Sequence, residues 1–380
     1  MKEALDLGHQ PLANKYPKPE QFSEEKFFPM KVLFCDACKN VQLSELVSRE
    51  LMFEDYYYLS SVNQGLVRYF EGLAETLKDT RFVVDIGSND GVLLRPLKKL
   101  GVKALGIEPS INVSKLANDE GLPTLTSFFD RASVEKVLAE HGKADAIVCS
   151  SVFTHLEDPH EVIEDVKALL AEDGRFIVEV EYLADFVRKV QFERFYFDRP
   201  FYYSLSSLVK LFASHGMHVA DVEHIEPHGG SIKVTVKHGA GAGSAAVAAM
   251  LEDEASVLTM EALGEFRDTS ARYVADFKKK LEAYKKGGVA VAGYSSPARV
   301  STITNFGDIG TDLIPYIVDD SPLKQGRTSP GKHIPIVPKE HLAEHPANLL
   351  VVFAYEYLDD IKKKTGNKYR YLIPIPPREA

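Results

Sequence analysis

Two patterns of apolar and polar residues recur along the chain: short apolar runs of roughly four to eight residues bounded by glycine or proline, and longer stretches with apolar positions three and four apart. Phe82-Val83-Val84 reads as a buried strand, and Asp85-Ile86-Gly87-Ser88-Asn89-Asp90-Gly91 breaks it before Val92-Leu93-Leu94 starts a helical pattern. Ala104 to Ile107 forms a second strand ending at Glu108, and Ala144 to Ser151 a third. A helix over about Asp158 to Leu170 and a strand from Gly174 to Val180 continue the alternation. Such βαβα order predicts a parallel sheet covered by helices on both faces, an α/β fold with its ligands at the carboxyl ends of the strands. The spacing from Leu263 through Phe266, Tyr273, Phe277 and Leu281 to Tyr284 predicts one long amphipathic helix. From Gly288 the alternation restarts, with strands over Val289 to Tyr294, Ile314 to Asp320, Leu349 to Ala354 and Tyr371 to Pro374, which predicts a second, smaller parallel domain. His238 to Ala248, HGAGAGSAAVA, reads as a linker.

The turn after the first of these strands carries the chemistry. Gly87 and Gly91 let the backbone approach a ligand closely. Glu108 lies about 20 residues past Gly87, where a ribose-binding carboxylate belongs. The spacing is G-x-x-x-G with Asn and Asp inside, whereas a dinucleotide site uses G-x-G-x-x-G to receive a pyrophosphate. Acidic residues in the turn disfavour a phosphate and suit an ammonium. S-adenosylmethionine has a ribose, an amino acid end and a sulfonium but no phosphate, and is the expected cofactor. Ser150 to His155 and Glu179 to Tyr182 are expected to face the same crevice.

Composition narrows the field. At 380 residues the chain is long enough for two or three domains, and its net charge of −10 with both signs mixed leaves no basic stripe for nucleic acid. No apolar run approaches the length of roughly 20 residues that a membrane span needs. With an N-terminus lacking a signal-peptide core, a cytoplasmic location is expected. Three cysteines give no disulfide framework. Cys35-Asp36-Ala37-Cys38 between two apolar runs reads as half of a zinc ribbon, and half a site is expected to hold zinc poorly. His228, beside Gly229 and Gly230, suits proton transfer or hydrogen bonding at neutral pH. Pro297 fits the first turn of a helix, and Lys324 to Arg327 with Pro330 to Pro335 is expected to form a basic loop that holds a diphosphate.

Four stretches together carry a resemblance: DLGHQPLAN with FCDACKNVQL and YYYLSS, then VVDIGSNDGVLL with GIEPS, then HGGSIKV, and finally GYSSPA with IVDDSPLKQGRTSPGKHIPI. The chain resembles the sugar C-methyltransferases, S-adenosylmethionine-dependent enzymes that methylate a nucleotide-linked 4-keto-deoxysugar. The resemblance implies a zinc-ribbon-like domain over residues 1–55, a class I methyltransferase domain with a Rossmann-like sheet over 56–237, a linker and long helix over 238–287, and a C-terminal Rossmann-like domain over 288–380. That family has a further Cys-x-x-Cys before its DLG-x-QPLAN segment. Here the expected metal ligands are Cys35 and Cys38 alone. The family's catalytic segment resembles F-D-x-I-Y-H-E-H followed by Y-F-S; here Tyr196 is kept, Asp198 stands for the glutamate and Arg199 for the histidine taken as general base.

Carbon methylation needs the proton beside a ketone removed and the enolate oxygen stabilised. Arg199 cannot be the base, because guanidinium stays protonated; it is expected to stabilise the enolate or bind phosphate. Tyr196, Asp198 and His228 are the expected proton acceptors, with Tyr196 or Asp198 preferred and Arg199 lowering the tyrosine's pKa. For the cofactor the reading takes Tyr58, Ser60, Asp85, Gly87, Ser88, Asn89, Asp90, Glu108, Pro109, Phe128, Ser150, Val152, Phe153 and His155. For the substrate it takes Glu179, Tyr182, Tyr202, Ser231, Tyr294, Ser296, Asp319, Lys324, Arg327 and His333. A monomer or homodimer acting on a small nucleotide-sugar-like molecule, with neither nucleic acid nor membrane as partner, is expected. The alternatives are O- or N-methylation of a changed acceptor, and a cofactor-binding scaffold without turnover.

Overall fold

The computed structural model describes residues 1–48, 51, 59–226 and 229–380. Strands β1 (Lys2–Pro11), β2 (Phe27–Phe34) and β3 (Val41–Leu43) open the chain. They are followed by β4 (Phe82–Ile86), β5 (Lys103–Ile107), β6 (Thr124–Leu125), β7 (Ala144–Ser150) and β8 (Leu170–Glu181), then by β9 (Phe201–Tyr202), β10 (Met217–Ile225) and β11 (Ser231–His238). The last group is β12 (Val291–Tyr294), β13 (Ile317–Val318), β14 (Ile336–Val337), β15 (Leu349–Val352), β16 (Arg370–Ile373) and β17 (Arg378–Glu379).

The central sheet runs β10-β11-β8-β7-β4-β5-β6. Its pairs from β8 to β6 are parallel, and β11 joins β8 antiparallel. The chain leaves β4 toward β5 and β6, then returns to lay β7 on the other flank. The strand order therefore reverses at β4, and a ligand crevice opens at its carboxyl end. The all-buried FVVDI of β4 shows why this strand is central, since it is covered on both faces. The C-terminal sheet, β14-β13-β12-β15-β16-β17, is parallel except for β17.

The N-terminal sheet has the order β1-β2-β3-β9, so its fourth strand comes from residues 201 and 202, far along the chain. One apolar cluster runs from β1 to β3 through the central sheet to β12 and β15. The helix Met260–Lys286 is the spacer within it, burying Leu263, Phe266, Val274, Phe277 and Leu281 along one face. The expected linker is shorter than the composition suggested: a helix already starts at Ala245, where the Ser244 hydroxyl accepts from the Val247 amide, and runs to Val257. Alanines are good helix formers once capped, and this cap converts the second half of HGAGAGSAAVA. Pro297 also sits outside its expected place, two residues ahead of the first residue of the helix Arg299–Phe306. Among the described residues no helix is long and apolar enough to cross a membrane.

Candidate active site

A cavity of about 2690 Å³ lies at the strand ends of the central sheet and is closed by loops from the N-terminal and C-terminal parts of the chain. Its floor is the turn after β4. Gly87 has φ +70, and a Cβ there would run into Val152, so the turn takes glycine for both reasons. The Gly87 amide donates to Ile107 O at 2.8 Å, tying the turn to the end of β5. There Glu108, 5 % exposed, accepts from the Asn89 amide at 3.1 Å and the Ser110 amide at 2.8 Å. The Ser60 amide donates to Asn89 Oδ1 at 2.9 Å, and the Ser61 hydroxyl to the Asp90 carboxylate, which fastens the segment before the helix Gln64–Thr76 over the turn.

The floor is acidic. Glu179, from β8, accepts hydroxyl hydrogens from Tyr69 and Ser150. Burial nevertheless pushes its pKa up. Asp85 at the end of β4 is pushed well above the carboxylate range by burial, and further by Glu179 and Glu108. Carboxylates held by hydroxyls and amides rather than by cations are a poor resting place for negative charge and a good one for a cationic ligand. S-adenosylmethionine fits that test: Glu108 would accept from its ribose diol, and the acidic lining would favour its positive charges.

The wall beside the floor is the segment Phe192 to Arg199. Tyr196, Asp198 and Arg199 all line the cavity, together with His155. The Arg199 guanidinium lies 2.6 Å from Glu181 and 4.9 Å from the Tyr196 ring centroid. Arg199 does pull the Tyr196 phenol downward, as the sequence suggested, but burial outweighs it and the net shift is upward. His155 faces the Asp198 carbonyl oxygen through Nδ1. Burial, and next the charge of Arg199, push its pKa down.

The far wall is made largely by segments that follow β12, β13 and β15. Lys324 donates to Ser296 O at 2.8 Å and Arg327 to Tyr16 O at 3.1 Å. Arg194 and Arg299 converge on Glu356, with Arg299 Nη1 2.8 Å from its carboxylate. Burial opposes ionisation of Glu356, and these two arginines overcome it, holding its pKa below the usual value.

Of the residues singled out from the sequence, Ser60, Gly87, Asn89, Glu108, Pro109, Phe128, Ser150, Val152, His155, Glu179, Tyr196, Asp198, Arg199, Lys324 and Arg327 line this one cavity. Asp85, Ser88 and Asp90 lie buried behind the turn. Tyr58 and His228, with the tyrosine run before Leu59, lie outside the described residues. Others point elsewhere. Phe153 is turned into the core by the short helical turn Phe153–His155 and packs on Phe176, Tyr203 and Phe212. Tyr182 is core, edge-on to His224. The Tyr202 hydroxyl bonds main-chain atoms of Tyr196 and Arg194, so this residue holds the Arg194 to Tyr196 segment instead of lining the cavity. Ser231 is buried opposite Glu181 in the strand pairing. Tyr294 and Ser296 are buried, and Asp319 accepts from the Ser296 and Ser321 amides. The expected basic loop divides: Lys324 and Arg327 reach the cavity, but His333 stacks on Phe22 at 3.6 Å and pairs with Glu25, while Lys332 pairs with Asp308. Glu181, within the Glu179 to Tyr182 stretch expected at the crevice, lines the cavity. Arg194, Arg299, Glu356, Tyr69 and Tyr16 were not singled out.

Cys35 and Cys38 sit at the β2–β3 hairpin, where Cys35 N donates to Asn40 O at 2.9 Å. Amide and thiol donors from Cys38 hold the Cys35 thiol down, as a thiolate ligand requires. Among the described residues no third histidine, cysteine or carboxylate joins the pair; the one cluster of three such groups is His341, Glu344 and His345.

Residues 1–53 match the family described as "Putative zinc binding domain", 57–222 the methyltransferase domain, and 226–376 the C-methyltransferase C-terminal domain. The C-methyltransferase NovU of Streptomyces niveus is 32% identical over 389 residues, covering 98% of this chain and 93% of its own length. A ubiquinone biosynthesis O-methyltransferase of Glaesserella parasuis is 30% identical over 102 residues, 25% of this chain and 43% of its own. Among solved structures, the magnesium protoporphyrin IX methyltransferase of Synechocystis superposes with a TM-score of 0.36 at 19% identity, over 46% of this chain and 84% of its own. The chain belongs to the C-methyltransferase family, and is an enzyme that takes its methyl group from S-adenosylmethionine.

Proposed function

We propose that this enzyme methylates a carbon of a nucleotide-activated keto-deoxysugar through an enolate, with the cofactor held by the Asp85 to Gly91 turn, Glu108 and the strand end at Ser150. The observation that carries this reading is the division of charge across the cavity. Glu108 and Glu179 line it at the glycine turn, Tyr196 and Arg199 in the segment beside it, and Arg194, Arg299, Lys324 and Arg327 on the remaining wall, where Glu356 takes up part of the positive charge. A ligand with a nucleotide diphosphate at one end and a ketone at the other matches that wall and that segment.

When bound, S-adenosylmethionine supplies a methyl group on a sulfonium, ready for a carbon nucleophile. The protein's own share is to make the nucleophile. Burial keeps the Tyr196 phenol protonated at neutral pH, so it donates a hydrogen bond to the developing enolate oxygen and does not remove a proton. Arg199, oriented by Glu181, supplies the positive charge beside it. The division of labour in this segment thus differs from the one expected of Tyr196 by sequence.

The second reading, transfer to an oxygen or nitrogen, draws on Arg199 standing where the resembling family has its base. One experiment separates the two: the protein is incubated in D2O with S-adenosylmethionine and a panel of nucleotide 4-keto-deoxysugars, and the products are read by mass spectrometry. Deuterium beside the ketone and methyl on carbon are expected. Methyl transfer without exchange would replace this reading by the second.

A further inference from the structure

We infer that His341, Glu344 and His345 form a site for a zinc-like divalent cation, separate both from the active-site cavity and from the hairpin that carries Cys35 and Cys38. The three side chains belong to the helix His341–Glu344 and to the residue that caps it, on the crossover from β14 to β15. Positions i, i+3 and i+4 share one face of a helical turn, so HLAEH gathers two imidazoles and a carboxylate on one side. One ligand atom from each lies within 4.8 Å of the others. None of the three lines the cavity.

Tyr316, buried just before β13, holds this turn in shape. Its hydroxyl donates to the His345 carbonyl oxygen, and its ring meets the His341 imidazole edge-on at 4.8 Å. The two imidazoles lie face to face, 4.2 Å apart and 30° from parallel. One tyrosine thus fixes both ends of the turn before an ion arrives, which lowers the ordering cost of binding. The ligand atoms are also uncommitted: among the described residues no hydrogen bond or ion pair engages the two imidazoles or the Glu344 carboxylate. Lys339, the nearest cation along the chain, is turned to the Lys364 carbonyl oxygen.

Two imidazole nitrogens and one carboxylate oxygen are the ligand set of a borderline transition ion, whereas calcium and magnesium ask for oxygen alone. Bonds of about 2.0–2.2 Å put the ligand atoms of a tetrahedral zinc ion roughly 3.3 Å apart. Closing to that spacing takes rotations about χ in side chains of which two are exposed and the third, His341, is half-buried. Water takes the fourth corner. An ion held here ties down the crossover into β15, so it stabilises the folded C-terminal sheet and takes no part in methyl transfer.

The test is calorimetric titration of the tag-free, full-length protein with zinc chloride, in the wild type and in the double variant Cys35→Ser with Cys38→Ser, which removes the hairpin thiols. One zinc ion with a dissociation constant in the micromolar range is expected to remain in the double variant. His341→Ala and His345→Ala, each added to that background, should weaken it by about 10²-fold or more, and Glu344→Gln by about tenfold. The thermal melt without metal checks that the variants fold. Zinc at about a hundredfold excess over its dissociation constant should raise Tm by a few degrees in the double variant and leave the histidine variants where they were. Cobalt in place of zinc should give visible d–d bands without the near-ultraviolet charge-transfer band of a thiolate. If the thiol-free protein does not fold, cobalt spectra of the wild type against His341→Ala and His345→Ala make the same comparison, since the imidazole bands alone should disappear. No zinc binding in the folded double variant, binding only at millimolar zinc, or unchanged affinity or cobalt bands in the histidine variants overturns the site.

Discussion

The floor and the far wall of the cavity handle charge in opposite ways. On the floor, Glu108 and Glu179 are held by amides and hydroxyls, and Asp85 is raised further by its acidic neighbours. On the wall, Lys324 and Arg327 donate to the carbonyl oxygens of Ser296 and Tyr16, and Arg194 and Arg299 share Glu356. Each surface is stabilised by neutral dipoles or by a shared counter-ion, and each gains most from a ligand of the opposite sign. The difference teaches where the two ends of a substrate pair would lie: a cation over the glycine turn, an anion against the C-terminal sheet.

The comparison breaks most easily at the floor. In Gly87→Ala, the left-handed backbone costs about 1–2 kcal/mol, and the side chain of Val152 must move as well. At about 1.4 kcal/mol per factor of ten, cofactor affinity should fall by tenfold or somewhat more by calorimetry, with the affinity for a nucleoside diphosphate unchanged. The converse change sharpens the wall. The double variant Lys324→Ala with Arg327→Ala should raise KM for the nucleotide sugar about tenfold, more at low salt than at high, and leave the cofactor Kd alone. If the cofactor Kd moved instead, the two surfaces would not be separate.

The smallest effect is one of pH. Asp85 and Glu179 have folded pKa values above their unfolded ones, so their contribution to stability is complete below the unfolded values and is lost as pH rises through the folded ones. A bound cation reverses that loss, because it favours the ionised carboxylates. The rise in Tm on adding S-adenosylmethionine should therefore be larger at pH 8 than at pH 5, with protons released on binding. Calorimetry in buffers of different ionisation enthalpy reads the proton count, and uptake in place of release would contradict the acidic floor.

Much of the floor was legible because it is local. A strand of five buried residues, a turn with glycines four apart and an acid at the next strand's end follow from the period of two and from the φ that glycine allows. The Cys-x-x-Cys hairpin was legible for the same reason. Phe153 and Tyr182 show where locality stops. A single short helical turn rotates Phe153 away from the face that alternation assigned to it, and the choice between cavity and core was made by Phe176, Tyr203 and Phe212. His333 fails in the same way, since the loop that carries it is held by Phe22 and Glu25, more than 300 residues earlier.

By itself, then, the sequence determined the alternating strands and helices, the glycine turn with its acid, and the identity of the residues that stand in the catalytic segment, all of which depend on neighbours a few positions away. Only the tertiary structure decided that β9 would complete the N-terminal sheet, that Arg194 and Arg299 would meet at Glu356, and that His155 would face Asp198. Those outcomes depend on which distant surfaces pack together, and burial, once imposed, pushes the pKa of Tyr196 up and that of His155 down.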